Sequence, residues 1–204
     1  MPFGYIGQNQ PNQKVKNSGV MSSFEASHLD NQGQLGGAYE LIEKQTVSDD
    51  ATALFENIKA SEYSVHILQI ENYRGASAGN VALRYYESGT EETASVYKGA
   101  MEERKSDSGE YNPANNSANY VFLCPAALAT DEVANVTAYI YGAGNSNSYT
   151  TTTSQTVQID PAATPAMSFG GHVMTQASTV DKFKIYSSND ANFSATVTLY
   201  GLKE

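Results

Sequence analysis

Hydrophobic and polar residues alternate most plainly near the end of the chain. Ala195, Val197 and Leu199 alternate with Ser194, Thr196 and Thr198 within Phe193 to Leu202, the two-residue period of a strand with one buried face. Just upstream, Phe183 and Ile185 alternate with Lys182 and Lys184. Ser187-Ser188-Asn189-Asp190 lies between the two runs, and its short side chains can bond their own backbone. A C-terminal β-hairpin is therefore expected. Val81, Leu83 and Tyr85 alternate with Ala82, Arg84 and Tyr86, and Val136, Ala138 and Ile140 with Thr137, Tyr139 and Tyr141.

Extending this reading predicts strands near Tyr39 to Val47, Ala51 to Ile58, Tyr63 to Tyr73, Asn80 to Glu87, Ala94 to Glu103, Tyr120 to Cys124 and Val133 to Tyr141. Four more follow near Ser154 to Ile159, Ala166 to Thr175, Val180 to Ser187 and Phe193 to Leu202. So many strands in one stretch make an all-β antiparallel sandwich over residues 37–204. Lys105 to Ala118 and Gly142 to Thr153 read as long loops, the segments in which a rigid sandwich usually presents contacts.

Residues 1–36 follow a different rule. Gln8 to Gly19 is polar, with Lys14 and Lys16 as its basic residues, and cannot offset its ordering entropy by burial. Before it, Phe3, Tyr5 and Ile6 form an apolar tip between Gly4 and Gly7, suited to a groove or a neighbouring sheet edge. Ser22 and Glu25 have capping-box spacing, predicting a short helical turn over Ser23 to about Asn31. The segment reads as an extended arm.

The chain has 204 residues, a net charge of −10, fourteen tyrosines, no tryptophan and one cysteine. Acidity argues against binding to nucleic-acid phosphates, and no apolar run approaches a membrane span. The opening residues lack the basic and apolar regions of a signal peptide, so export by the usual route is not expected. Cys124 leaves no intrachain disulfide to form and reads as a small buried hydrophobe.

Gly36-Gly37 with Leu41-Ile42-Glu43, then Phe55, Tyr63 to Ile70, Phe183 to Ser188 and Thr196 to Lys203 resemble virion structural proteins of tailed bacteriophages, particularly aquatic and marine phages. The likeness covers about residues 36–204, and Tyr5-Ile6-Gly7 resembles the start of phage fibre-like and appendage proteins. Ser188-Asn189-Asp190 stands where similar proteins often carry Ser-Gly-Asn. The resemblance implies a jelly-roll-like module on a virion, often a homotrimer, fixed to other capsid or tail proteins by its N-terminal segment. Phe3, Tyr5, Ile6, Lys14 and Lys16 are the residues expected to anchor it.

Candidate chemistry is sparse. His28, His66 and His172 lie far apart without metal-ligand spacing, and Gly170-Gly171 before His172 reads as a bulge or bend. Glu91-Glu92 and Glu102-Glu103 are the carboxylates a glycosidase would need, yet Lys98, Arg104 and Lys105 nearby suggest a solvated face. Asp49-Asp50 and Asp107-Ser108-Gly109-Glu110 read as turns before calcium ligands. Catalytic residues, cofactors and metals are not expected. Tyr85, Tyr86, Tyr139, Tyr141 and Tyr149 read first as ordinary sheet packing, and are otherwise the candidates for a subunit contact or, in a tail-fibre or carbohydrate-binding module, for a host surface glycan. The expected function is a non-enzymatic virion protein, either capsid decoration or tail appendage, assembled in the host cytoplasm, without nucleic-acid partners or membrane insertion.

Overall fold

The computed structural model describes residues 39–107, 109–125, 128, 131–159 and 163–202. The expected arm, its helical turn and all five anchoring residues lie outside them. Among the described residues the regular structure is entirely strand. In chain order the strands are β1 (Tyr39–Asp50), β2 (Thr52–Phe55), β3 (Val65–Gly75), β4 (Val81–Glu87), β5 (Thr90–Glu91), β6 (Tyr97–Lys105), β7 (Glu110–Tyr111), β8 (Ala114–Ala118), β9 (Val121–Phe122), β10 (Val133–Tyr141), β11 (Tyr149–Ile159), β12 (Pro165–Ala177), β13 (Val180–Ser187) and β14 (Phe193–Leu202).

They form two antiparallel sheets. The larger has nine strands in the order β1-β14-β3-β10-β11-β12-β6-β7, with β8 also on β6; the smaller has five, β2-β13-β4-β5, with β9 also on β4. One hydrophobic core joins them. Leu68, Ile70, Val136, Ala138, Ile140, Val197 and Leu199 from the larger sheet meet Phe55, Leu83, Tyr85, Phe183 and Ile185 from the smaller. Each such side chain, when fully buried, contributes about 1.5–3 kcal/mol relative to exposure.

The expected C-terminal hairpin does not form. β13 pairs with β2 and β4 in the smaller sheet, whereas β14 pairs with β1 and β3 in the larger. The turn residues are present, but they carry the chain from one sheet to the other. Ser188 N donates to Asn80 O (3.0 Å), Asn80 N donates to Ser188 Oγ (2.9 Å), and Asn189 Nδ2 donates to Ser77 Oγ (2.8 Å) and Ala78 O (3.0 Å). The β13–β14 crossing is thus tied to the β3–β4 crossing beside it.

Two expected loops also contain strands. β7 and β8 lie inside the Lys105 to Ala118 segment and pair with β6 through backbone bonds, although β8 is mostly exposed and has no apolar alternation. β11 starts at Tyr149, because Thr150 and Thr152 bury hydroxyl side chains where a hydrophobic pattern would look for aliphatic ones. β2 stops at Phe55, and β5 has no counterpart in the sequence reading.

The Leu199-Tyr200-Gly201 ending has a packing reason. Leu199 is in the core, and Gly201 lies against the ring of buried Tyr63, where an added Cβ would sit 2.3 Å from ring carbons. Gly201→Ala should destabilise the fold by about 1–3 kcal/mol through overpacking. Gly171→Ala has a nearest contact of 3.4 Å and should change stability by less than about 1 kcal/mol. Urea titrations of the two variants check this; equal midpoints would contradict it.

Candidate functional site

The outer faces of the two sheets differ in charge. β10, β11, β12 and β14 contain no Asp, Glu, Lys or Arg, in a chain that is 17% charged. β3, between β14 and β10, has only Glu71 and Arg74, both toward one end. Five adjacent strands therefore present an almost uncharged outer face. Lys44, Lys98, Glu102 and Arg104 lie on the flanking strands β1 and β6.

The smaller sheet presents an ion-pair network instead. Arg84 Nη1 lies 2.6 Å and Lys184 Nζ 2.9 Å from Glu91 Oε1, and Tyr86 OH donates to Glu91 Oε2 at 3.1 Å. Lys182 pairs with Glu56, and the Arg84 guanidinium lies 4.6 Å from the centre of the Tyr186 ring. Burial pushes the Glu91 carboxyl upward, but bonds from Arg84 and Lys184 outweigh it and hold the group below its ordinary value. These charges satisfy one another.

Large apolar groups stand out on the uncharged face. Val157, Met167 and Phe169 are 59%, 61% and 54% exposed. Val157 and Met167 are cross-strand partners, with Phe169 in the next outward row of β12, so they form one ridge. Beside the ridge, a groove of about 550 Å³ runs past Asn135, Thr137, Gln155 and Gln69. A second hollow of about 290 Å³ is lined by Tyr39, Tyr139, Tyr200, Ile67, Gln69 and Thr137. Gln69 and Thr137 line both.

The five candidate tyrosines do not share a surface. Tyr85 is in the core, where its hydroxyl bonds Thr152 Oγ1, which removes it from any exposed platform in this chain. Its neighbour Tyr86 points the other way, onto the charged face of the smaller sheet, as strand alternation requires. Tyr139, Tyr141 and Tyr149 are exposed on the larger sheet, the first two with rings 6.5 Å apart and nearly parallel. Tyr39, Tyr200, Val157, Met167 and Phe169 were not singled out by sequence. For all but Tyr39, which lies on charged β1, the signal is the charge-free stretch itself.

Beneath this face the interior is polar. Thr156 Oγ1 donates to Leu123 O at 2.7 Å, and Gln158 Nε2 donates to Glu103 Oε2 at 2.5 Å. Cys124 is buried and free, and its thiol bonds the Gln158 carbonyl. Glu103 also lies 3.7 Å from Lys105. Thus Glu103 faces the interior while Glu91 belongs to the other sheet's network. Asp50 Oδ1 accepts from Ala51 N, and Asp107 Oδ1 from Gly109 N, both turn bonds. Among the described residues no group of three or more His, Cys, Asp and Glu is placed to hold a metal ion.

His28 lies outside the described residues. His66 sits in the core with Nε2 2.7 Å from Ile58 O and its ring edge-on to Phe183. His172 meets Phe122 edge-on at 4.1 Å, and Gly99 opposite leaves room for the imidazole. No bulge occurs at Gly170-Gly171, because both residues keep regular register with β11 and β6. Gly170 serves close approach instead, since a Cβ there would lie 2.3 Å from Ala100 O.

Comparison with protein-family models, curated proteins and solved structures finds no match to this chain.

Burial lowers the pKa of His172 to about 4 and shifts His66 in the same direction. Between the ordinary histidine value of 6.5 and about 4, the unfolded chain takes up protons that the folded chain refuses, so stability falls as pH falls. Full stability from this source holds above pH 6.5, and the His172 contribution is lost by about pH 4. That loss is of order 3 kcal/mol, at about 1.4 kcal/mol per pKa unit. Denaturant melts across this window should show the fall, and His172→Gln should flatten it; an unchanged slope in the variant would contradict it.

Proposed function

We propose that this chain is a non-enzymatic structural protein of a tailed-phage virion, held to the particle through its N-terminal arm and displaying the sandwich on the exterior. The observation that carries this reading is the almost charge-free outer face of the larger sheet on an acidic chain. Interface cores are depleted in Lys, Glu and Asp and enriched in aromatic residues and Met. A face bearing Phe169, Met167 and exposed tyrosines has that composition. The ion-paired face of the smaller sheet suits contact with water, so the two surfaces divide the roles of protein contact and display.

The winding of the chain supports a jelly-roll-like module. β1 pairs with β14, β2 with β13, β3 with β10 and β4 with β9, the four pairs of a long double ribbon. Rolling that ribbon places β14 beside β3 and β13 beside β4. Jelly rolls recur in viral capsid and lectin domains, and β6–β8 with β11–β12 then extend one sheet. The resemblance to virion proteins points the same way.

A second reading, a tail-fibre or carbohydrate-binding module, draws on the hollow where Tyr39, Tyr139 and Tyr200 surround Gln69 and Thr137. Ring faces and amide and hydroxyl groups together suit a neutral sugar.

Locating the protein in an electron-microscopy map of the intact particle tests the proposal. Hundreds of copies on the shell would mark decoration, and a small number on the tail an appendage. Deleting residues 1–20 should abolish incorporation while leaving the sandwich folded by circular dichroism. Normal incorporation of that variant, together with strong hits on a glycan array, would replace the proposal with the sugar-binding reading.

A further inference from the structure

We infer that two copies of this chain pack face to face through the uncharged outer surface of the larger sheet, about a two-fold axis running along β10. The inference rests on reading that surface as an assembly interface, and it names the occupant as a second copy. Electrostatics is the first reason. Each copy carries a net charge of −10, so close approach between copies is least opposed where carboxylates are fewest, and across five adjacent strands Glu71 of β3 is the single one.

Area is the second reason. Five strands about 4.8 Å apart, each contributing about nine residues at 3.4 Å, span roughly 24 by 30 Å. That is roughly 700 Å² per copy, close to the 800 Å² per partner typical of stable complexes.

The third reason is the match of the face with itself. Paired residues across the sheet give the outward row Thr198, Gln69, Thr137, Gln155, Phe169, and the next row Tyr200, Ile67, Tyr139, Thr153, Gly171. An axis along β10 exchanges β11 with β3 and β12 with β14. Phe169 of one copy then meets Thr198 of the other, beside the tyrosine-lined hollow, and Tyr200 meets Gly171. In these two rows large groups face small ones, while Thr137 and Tyr139 lie on the axis opposite themselves; in the adjoining row Met167 meets Thr196 and Val157 comes over Glu71, the one carboxylate of the face. A single self-matching patch of this kind closes as a two-fold pair, whereas a trimer needs two different patches.

Sedimentation equilibrium of the full chain at micromolar concentration should give twice the 21.9 kDa protomer mass. Met167→Glu combined with Phe169→Glu should weaken association at least a hundredfold with an unchanged circular dichroism spectrum, whereas Glu56→Gln on the other sheet should leave the mass unchanged. Thr137→Cys should be joined to its counterpart by a short bis-maleimide, because the same position meets itself across the axis of two sheets packed about 10 Å apart; native Cys124 is buried. A monomer or trimer mass, a double variant that still pairs, or a Thr137→Cys chain that fails to cross-link would overturn the inference. Binding of a neutral oligosaccharide to this face without any change in the paired mass would overturn it as well. If the wild type is a monomer and the double glutamate variant still loses particle incorporation, the pair is wrong and the interface reading survives; if incorporation is untouched, both fail.

Discussion

Each time the chain leaves one sheet it must enter the other without stranding backbone polar groups between them, and the remaining architecture depends on how that is done. Three crossings, β1 to β2, β3 to β4 and β13 to β14, are bonded to one another. Asn192 Nδ2 donates to Asp49 O, Asp49 N donates to Ser194 Oγ, and Ala76 N donates to Asn192 O. Asn80, Ser188 and Asn189 complete the tie. Asp49 and Asp190 adopt positive φ angles of 53° and 57°, a conformation that short polar side chains tolerate better than most. Buried backbone groups are nearly always paired, and here the partners are the neighbouring crossings.

A wide sheet over a narrow one creates a second constraint. The smaller sheet covers β1, β14, β3 and β10 with aliphatic and aromatic groups, and the inner sides of those strands answer in kind. Further along, the inward positions of β11 are Thr150, Thr152, Ser154, Thr156 and Gln158, all buried. Their counterparts include the Tyr85 hydroxyl, the Leu123 carbonyl and the Cys124 thiol. The interior thus changes from oily to polar across one sheet, while its exterior changes the opposite way, becoming apolar at Val157, Met167 and Phe169.

That inversion explains what could be read from sequence. Where aliphatic residues point inward, at Val136 to Ile140 or Ala195 to Leu199, alternation located strands and their buried faces. Where threonine points inward at the start of β11, at Thr150 and Thr152, the same rule sees only a polar loop. Phe169 and Met167 alternate correctly but face outward, so a hydrophobic count alone would place them in the core. The partner of each strand is harder still: β13 and β14 have the pattern and the turn residues of a hairpin, but β13 lies between β2 and β4 and β14 between β1 and β3, partners distant in sequence. Of the candidate surface, Tyr139, Tyr141 and Tyr149 could be singled out by composition. Tyr39 and Tyr200 join Tyr139 at the hollow only through the β1–β14–β3–β10 pairing, which no local window contains.

The pairing of β1 with β14 also fixes an order of events. A strand beginning at Tyr39 must wait for one beginning at Phe193 before its backbone finds a partner, so the larger sheet closes only after nearly the whole described chain has been made. Such long-range closure is slow. Meanwhile β10, β11 and β12, which lack the charges that keep nascent strands apart, are available to other chains. Synthesis at high copy number would therefore favour rapid capture of these strands, and productive folding becomes a race that concentration makes harder to win.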